Sequence, residues 1–411
     1  MLDSVSDIFE GAAAKYLSAV DADRSRSNQH EIGGLPSVGF KRYLGEPGKN
    51  DERIFPCLMA YISDSGEVEL CRDHVTWYDS RRNVVHRAAE YRLYYKDNPV
   101  TSQIGEGDFF LIAKHKDNSL LLIFTPPDSP AEYQLRHLFG ISRPGQRFSA
   151  ANMPEAKLLL PLRLLLEEIG ISAFDEATAE NDLDLVLSRF GDAFPKTAVF
   201  SSLARELSSF SSTDDPDAAL LGWMEREEAL FRAYERHVVQ RQLREGFGSG
   251  GDDVDAFISF SLSVQNRRKS RVGHAFENHL SQIFAENALP FEKGGAGRVT
   301  ENNSKPDFMF PSFGAYHDAS LTPDSVFLLG AKTTCKDRWR QVLAEGDRLQ
   351  VKYLATLEAG ISMTQTSEMR SKQLQLIIPD AVHSTYNTEQ QRWLLTLADF
   401  VRLVRERCGN G

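Results

Sequence analysis

Cysteine is scarce in this sequence: four in 411 residues, at positions 57, 71, 335 and 408. No two lie two to four residues apart, which argues against a zinc knuckle. A chain this long needs no disulfide framework, so reduced thiols and a cytoplasmic location are expected. Long apolar runs are missing too. No eighteen-residue window is apolar enough to span a bilayer, so no membrane partner is expected. Nor is there an excess of positive charge: 47 Lys and Arg stand against 58 Asp and Glu, a net charge of −11. The whole-chain balance therefore does not advertise nucleic-acid binding, and any such role has to come from local patches. The first residues carry acids, Asp3 and Asp7, where a secretion signal needs bases. There is no internal repeat.

What is present falls into two styles. The apolar residues of segment 2–20 follow i, i+3, i+4 spacing, which predicts an amphipathic helix. From about 55 to 124, short aromatic and aliphatic runs ("CLMAYISD", "EVELCRD", "VTWYDS", "EYRLYYKD", "DFFLIAKHK", "SLLLIFTPP") alternate with turn residues, the pattern of a small barrel or sandwich. From about 155 the spacing turns helical. A long helix is expected over 218–245, with Gly246 just past its end. "GFGSGG" lacks the Gly-Lys-Ser/Thr ending of a phosphate loop and reads as a linker. A further helix is expected over 268–287, strands over 306–311, 325–331 and 373–379, a charged helix from 337 to about 350, and a closing helix. That order predicts an α/β domain with a central mixed sheet. The expected division is a mainly-β N-terminal domain (1–175), a helical linker (176–216) and an α/β C-terminal domain (217–411).

The chemistry concentrates at strand ends. Asp307 opens one short apolar strand, and Lys332 closes the next, 25 residues on. Adjacent strands would bring carboxylate and ammonium to one sheet edge. There an acid can hold Mg²⁺ through oxygen ligands, and a lysine can orient water or neutralise a phosphate. This is the PD-(D/E)xK nuclease arrangement, but the acid usually found two residues before the lysine is Gly330 here. Glu345, on the charged helix, and Glu277, beside an apolar stripe, are candidates for a second carboxylate. An Asp–Lys pair across two strands is most often only a salt bridge. "NRRKSR" holds Arg267, Arg268, Lys269 and Arg271, which suit phosphate contact or simply a solvated helix start. Lys336, Asp337 and Arg338 carry donors for guanine and an acceptor for cytosine N4. Tyr316 and His317 read as structural. Cys335 has basic neighbours that could lower its pKa but no histidine partner.

On these residues a family resemblance rests. "SVQNRRKSRVGHAFENHL", "KPDFMFPSFGAYHD" and "AKTTCKDRWRQVLAEGD" resemble the catalytic domain of EcoRII-type (type IIE) restriction endonucleases over about 200 residues. "HEIGGLPSVGF", "WYDSRR" and "EYR" resemble the N-terminal part weakly. The resemblance implies a PD-(D/E)xK fold whose missing strand acid is replaced by a glutamate from the next helix. Asp307 and Glu345 would hold Mg²⁺, Lys332 would be the catalytic lysine, and Glu277 an additional carboxylate. Lys336, Asp337 and Arg338 would read the outer C·G pairs of a CC-centre-GG site, with CCWGG expected. It further implies an N-terminal DNA-binding pseudobarrel that holds a second site copy as effector and inhibits the enzyme. The candidate contacts there are Arg81, Arg82, Arg87, Glu90 and Arg92, although other positions expected to be basic are not. A homodimer, double-stranded DNA at two or more sites and a cognate cytosine methyltransferase are the implied partners. Two rivals stand beside this reading: a DNA-binding regulator with an idle nuclease fold, and a repair nuclease that nicks without a palindrome.

Overall fold

Thirteen strands form two sheets in this structure, a computed structural model that describes residues 4–22, 30–48, 51–84, 86–151, 153–154, 158–171, 173, 176–191, 194–295, 297–301, 304–335 and 338–408. The chain divides into an N-terminal unit, Leu2–Ala173 with Gly360–Ser362, and a C-terminal unit, Phe174–Ala359 with Met363–Gly411.

The N-terminal unit is built on β1 (Phe9–Tyr16), β2 (Glu31–Gly33), β3 (Glu52–Ile62), β4 (Val68–Asp79), β5 (Tyr91–Tyr94), β6 (Phe109–His115), β7 (Leu120–Thr125) and β8 (Ser149–Ala151). They make one sheet in the order β2-β5-β4-β3-β7-β6-β1-β8, antiparallel except for the parallel β3–β7 pair. Strand β7 lies between β3 and β6, and all its residues are buried. That is why "LLLIFT" is a continuous apolar run rather than an alternating one. Strand β4 alternates along its inner half, with Val75 and Trp77 fully buried.

The expected N-terminal helix is instead a 3₁₀ turn (Val5–Asp7) followed by β1. The cause is tertiary. Ala12 to Ala14 pair with β6 on one side and with β8 on the other, and this pairing overrides the helical preference of alanine. Likewise "EVELCRD" and "VTWYDS" are one strand, β4, not two.

In the C-terminal unit, helices α1 (Glu176–Phe190) and α2 (Thr197–Glu206) pack against α3 (Pro216–Glu245) through Val186, Phe200, Leu203, Leu230, Phe231 and Tyr234. Residues 176–206 thus contribute to this unit's core. Next comes α4 (Val254–Glu286), longer at its start than the 268–287 reading. Asp253 caps it, accepting from the Ala256 N–H at 2.9 Å, so the helix begins at Val254 rather than near residue 268.

The second sheet has the order β13-β12-β11-β10-β9. Its strands are β9 (Glu292–Lys293), β10 (Phe308–Phe310), β11 (Phe327–Ala331), β12 (Lys352–Ala355) and β13 (Leu374–Ile377). The β9–β10–β11 pairs are antiparallel and the β11–β12–β13 pairs parallel, which is a mixed sheet. Phe284 of α4 and Phe400 of the closing helix meet over Phe310, with ring centroids 5.1 and 5.4 Å away. The closing helical segment is broken into Thr388–Gln391 and Leu397–Cys408. The charged segment after β11 holds only a short helix, α5 (Trp339–Leu343).

Candidate active site at the β10–β11 edge

Antiparallel pairing sets Phe308 opposite Leu329, so Asp307 at the start of β10 meets the end of β11. Its Oδ2 accepts from Lys332 Nζ at 2.7 Å and from the Ala331 N–H at 2.7 Å. The lysine is fixed in turn by its backbone, whose N–H donates to Ala355 O at 3.0 Å. Carboxylate and ammonium are both largely buried, at 16% and 21% side-chain exposure, yet open enough to meet a ligand. The sequence placed this pair correctly.

Gly330 explains the missing acid. A Cβ at this position would lie 2.6 Å from Val342 Cγ2. The helix after β11 packs onto the strand where the usual carboxylate would project, so a side chain there would require Val342 to shift. That same helix leads into Glu345, two residues beyond its end, where Gly346 turns the chain at φ +69°. The expectation of a charged helix running to about 350 and carrying Glu345 is therefore corrected: Glu345 sits in the turn after α5.

The turn carries Glu345 to Asp307. Burial, reinforced by the Asp307 charge and opposed by Lys332 and Lys352, pushes the Glu345 carboxyl up to about 7. Its Oε2 is buried without a hydrogen-bond partner. An interior carboxylate repelled by a second one and left with an unpaired oxygen is costly alone. A bound cation relieves both terms, so Asp307 and Glu345 fit a divalent metal. Mg²⁺ is satisfied by one or two carboxylates together with water and substrate phosphate. Among the described residues, no group of three or more His, Cys, Asp or Glu comes together to hold a metal ion. Glu277 is bound to Lys293 Nζ at 3.1 Å, and Lys293 pairs with Phe308 across β9–β10.

Lys352 went unnoticed in the sequence. It lies in β12, is nearly buried, and donates to Leu343 O at 2.6 Å, capping α5 just before Glu345. Burial, partly offset by Asp347, Glu301 and Glu345, lowers its pKa. The available signal was a lysine at the head of the apolar run "KYLA".

Of the base-reading triplet, Lys336 and Asp337 lie outside the described residues; Arg338 is exposed at the N-terminus of α5. Cys335 is buried, and its pKa is raised well above the ordinary thiol value by that burial and by Glu358, which reverses the expected effect of its basic neighbours. The run on α4 is split. Arg271 is 6% exposed, 2.5 Å from Glu227 and sandwiched by Phe200 and Phe231, so it is a core residue rather than a phosphate contact. Arg268 is held by Glu235 at 2.6 Å, Arg267 stacks on Phe194 at 4.2 Å, and Lys269 is exposed.

In the N-terminal unit, Arg92 of β5 bridges Glu31 and Glu90, both at 2.8 Å, and Glu90 also pairs with Arg81. The Arg92 hydrogen bond leads the interactions that lower the Glu90 pKa. Asp79, not foreseen, pins this loop by accepting from the N–H groups of Arg81 and Glu90 at 2.9 and 2.8 Å. Arg82 lies 3.5 Å from Glu52, and Arg87 is exposed.

Residues 231–401 match the family model described as EcoRII C terminal. The type II restriction enzyme EcoRII of Escherichia coli is 43% identical over 187 residues, which is 46% of this chain and 45% of that enzyme. The match thus spans less than half of the curated relative's length. Among solved structures, metal-depleted Ecl18kI with uncleaved, modified DNA aligns at TM-score 0.45 and 19% identity, over 57% of this chain and 86% of that one. A PspGI–substrate DNA complex aligns at TM-score 0.40 and 15% identity, over 57% and 93%.

Proposed function

We propose, on the match of residues 231–401 to the EcoRII C-terminal family model, that this chain is a type II, IIE-like restriction endonuclease. It hydrolyses phosphodiester bonds of double-stranded DNA at a CC-centre-GG site, with CCWGG the favoured sequence, and leaves 5′-phosphate ends. The observation that carries this reading is the Asp307–Lys332 pair with the unpartnered Glu345 oxygen beside it.

Asp307 and Glu345 are the residues that would hold Mg²⁺. The bound ion would supply Lewis-acid polarisation of the scissile phosphate and a more acidic water. Lys332, oriented by Asp307, presents an ammonium to the charge that develops on the phosphate and orients the attacking water. Lys352 holds the end of α5 and so positions Glu345. Lys336, Asp337 and Arg338 are assigned to the outer base pairs, and Lys269 with Arg267 and Arg268 to the backbone. Glu277 is a supporting carboxylate held through Lys293. The N-terminal unit is assigned the pseudobarrel role of binding a second copy of the site through Arg81, Arg82, Arg87, Glu90 and Arg92. The working form is a homodimer in the cytoplasm, beside a cytosine methyltransferase that protects the host sites.

The test is digestion of a plasmid carrying several CCWGG sites, in Mg²⁺ and in EDTA, with Lys332→Ala as control and the ends mapped by run-off sequencing. Mg²⁺-dependent cuts at one short palindrome, lost in the variant, are expected. An intact plasmid, also with added cognate duplexes and with other CC/GG centres, would overturn the nuclease reading in favour of binding alone. Nicks without a palindrome would favour a repair nuclease.

A further inference from the structure

Burying a carboxylate is costly unless a donor meets it. Glu358 is only 9% exposed, and its Oε2 accepts from the N–H of Cys335, itself 2% exposed. Glu358 stands just past β12 and Cys335 just past β11. The two strands are parallel neighbours, and their pairing continues where the strands end. The Lys332 N–H donates to Ala355 O at 3.0 Å, and Thr356 Oγ1 donates to Thr333 O at 3.3 Å. Glu358 then closes on Cys335. A seam of hydrogen bonds thus runs from Lys332 to Cys335. It is also anchored from behind. The Thr356 N–H donates to Ile377 O at 3.1 Å, and the Glu358 N–H to Thr356 Oγ1 at 3.1 Å. The Tyr386 hydroxyl donates to Glu358 O at 2.5 Å. Thr356 and Tyr386 are both buried.

Cys335 is the last residue before the base readers assigned above, Lys336, Asp337 and Arg338. Arg338 is tied to it, since its N–H donates to Cys335 O at 2.7 Å. Cys335 therefore holds a base reader with its carbonyl and is held by Glu358 through its amide. We propose that Glu358 is a positioning residue for sequence specificity. Through Cys335 it fixes the start of the base-reading segment relative to Lys332, so that bases and scissile phosphate are met by one rigid piece. A carboxylate suits this task, because a charge-assisted hydrogen bond is roughly twice as strong as a neutral one. Readout of base edges demands such fixing, because hydrogen bonds weaken steeply with misaligned distance and angle. The inference deepens the nuclease reading and rests on its assignment of residues 336–338 to the outer base pairs.

The experiment compares kcat/KM of the full-length protein in Mg²⁺ on short duplexes. One carries CCAGG, one has an outer C·G pair replaced, and one has the central pair replaced by C·G. The wild type should prefer the first to the second by about 100-fold, the scale of one wrong base pair. Glu358→Ala should cut that preference about tenfold, the worth of one net hydrogen bond, and leave the preference at the centre within about twofold. Taking the ratio cancels any loss of folded enzyme. Glu358→Gln keeps an acceptor oxygen at the same reach and should restore most of the outer-pair preference. Glu358→Asp keeps the charge but shortens the reach. It should lower the outer-pair preference about threefold, and decides the question if circular dichroism shows Glu358→Ala unfolded. Equal losses at outer and central pairs would overturn the proposal, since they mean general loosening. So would a Gln variant no better than Ala, or an Asp variant equal to the wild type. A wild type that cuts selectively beside a folded Glu358→Ala that matches it sinks this inference alone. A wild type that cuts none of the duplexes sinks the nuclease reading, and this inference with it.

Discussion

The chain holds two clusters of the same residue types in opposite states. In the N-terminal unit Arg92 lies between Glu31 and Glu90, and Arg81 closes on Glu90 from the other side. In the C-terminal unit Lys332 is matched to Asp307, and the Glu345 carboxyl is pushed up to about 7; Glu31 and Glu345 each keep one buried oxygen without a hydrogen bond, but the other oxygen of Glu31 holds Arg92. A cluster matched charge for charge has little to offer a cation, and offers phosphate only what the ligand can pull from its carboxylates. A cluster with a carboxylate left over is destabilising until something positive arrives. The comparison separates charge that holds a fold from charge that waits for chemistry.

The sharpest way to break it is Lys332→Ala. Cleavage in single-turnover assays should fall by at least about 10³-fold, the scale on which one preorganised electrostatic group acts. Specific DNA binding should be retained in gel-shift titrations. Loss of both together would make Lys332 a structural residue like Arg92. Glu345→Gln should act next most strongly, and with opposite effects on activity and stability. A carboxyl with an ordinary pKa of 4.5 held at about 7 in the fold ionises first in the unfolded chain. Its cost to stability is absent below pH 4.5, grows as pH rises, and is complete above pH 7. The variant should therefore be inactive yet melt higher than the wild type at pH 8 in EDTA, by at most about 3 kcal/mol at 1.36 kcal/mol per pKa unit. Near pH 4.5 the two should melt together.

How much of this could be read from residues alone depended on whether local pattern or distant packing decided each element. Asp307 and Lys332 were legible because each ends a short apolar strand, and strand ends lie at a sheet edge whatever surrounds them. The order of β10, β11 and β13 and the length of α3 followed from periodicity and caps. β1 did not, because its alanines become a strand only between β6 and β8. Arg271 did not, because a run of bases does not reveal which one turns inward to Glu227. The reason for Gly330 was also hidden, since Val342 reaches it through the fold. Gly330→Asp, which restores the usual strand acid, should therefore destabilise the protein by about 1–3 kcal/mol, the cost of overfilling a packed site. Adding Val342→Ala should recover part of that in thermal melts; no recovery would mean that Val342 is not the obstacle.

The closed cluster supplies the smallest effects and the cleanest contrast, between strand β5 and the loop before it. Arg92→Ala leaves Glu31, whose side chain is 3% exposed, without its cation. That should cost about 1–3 kcal/mol of stability, the penalty of a stranded buried acceptor. Arg87 lies in the loop that leads into β5 and is exposed, so Arg87→Ala should shift stability by less than about 0.5 kcal/mol. If the N-terminal unit binds a second DNA site, this substitution should still weaken that binding, uniformly across sequences, and reduce the salt slope by about one. Equal melting losses in the two variants would erase the distinction between a charge that serves the fold and one that serves a ligand. An unchanged salt slope for Arg87→Ala would remove Arg87 from the DNA-binding surface.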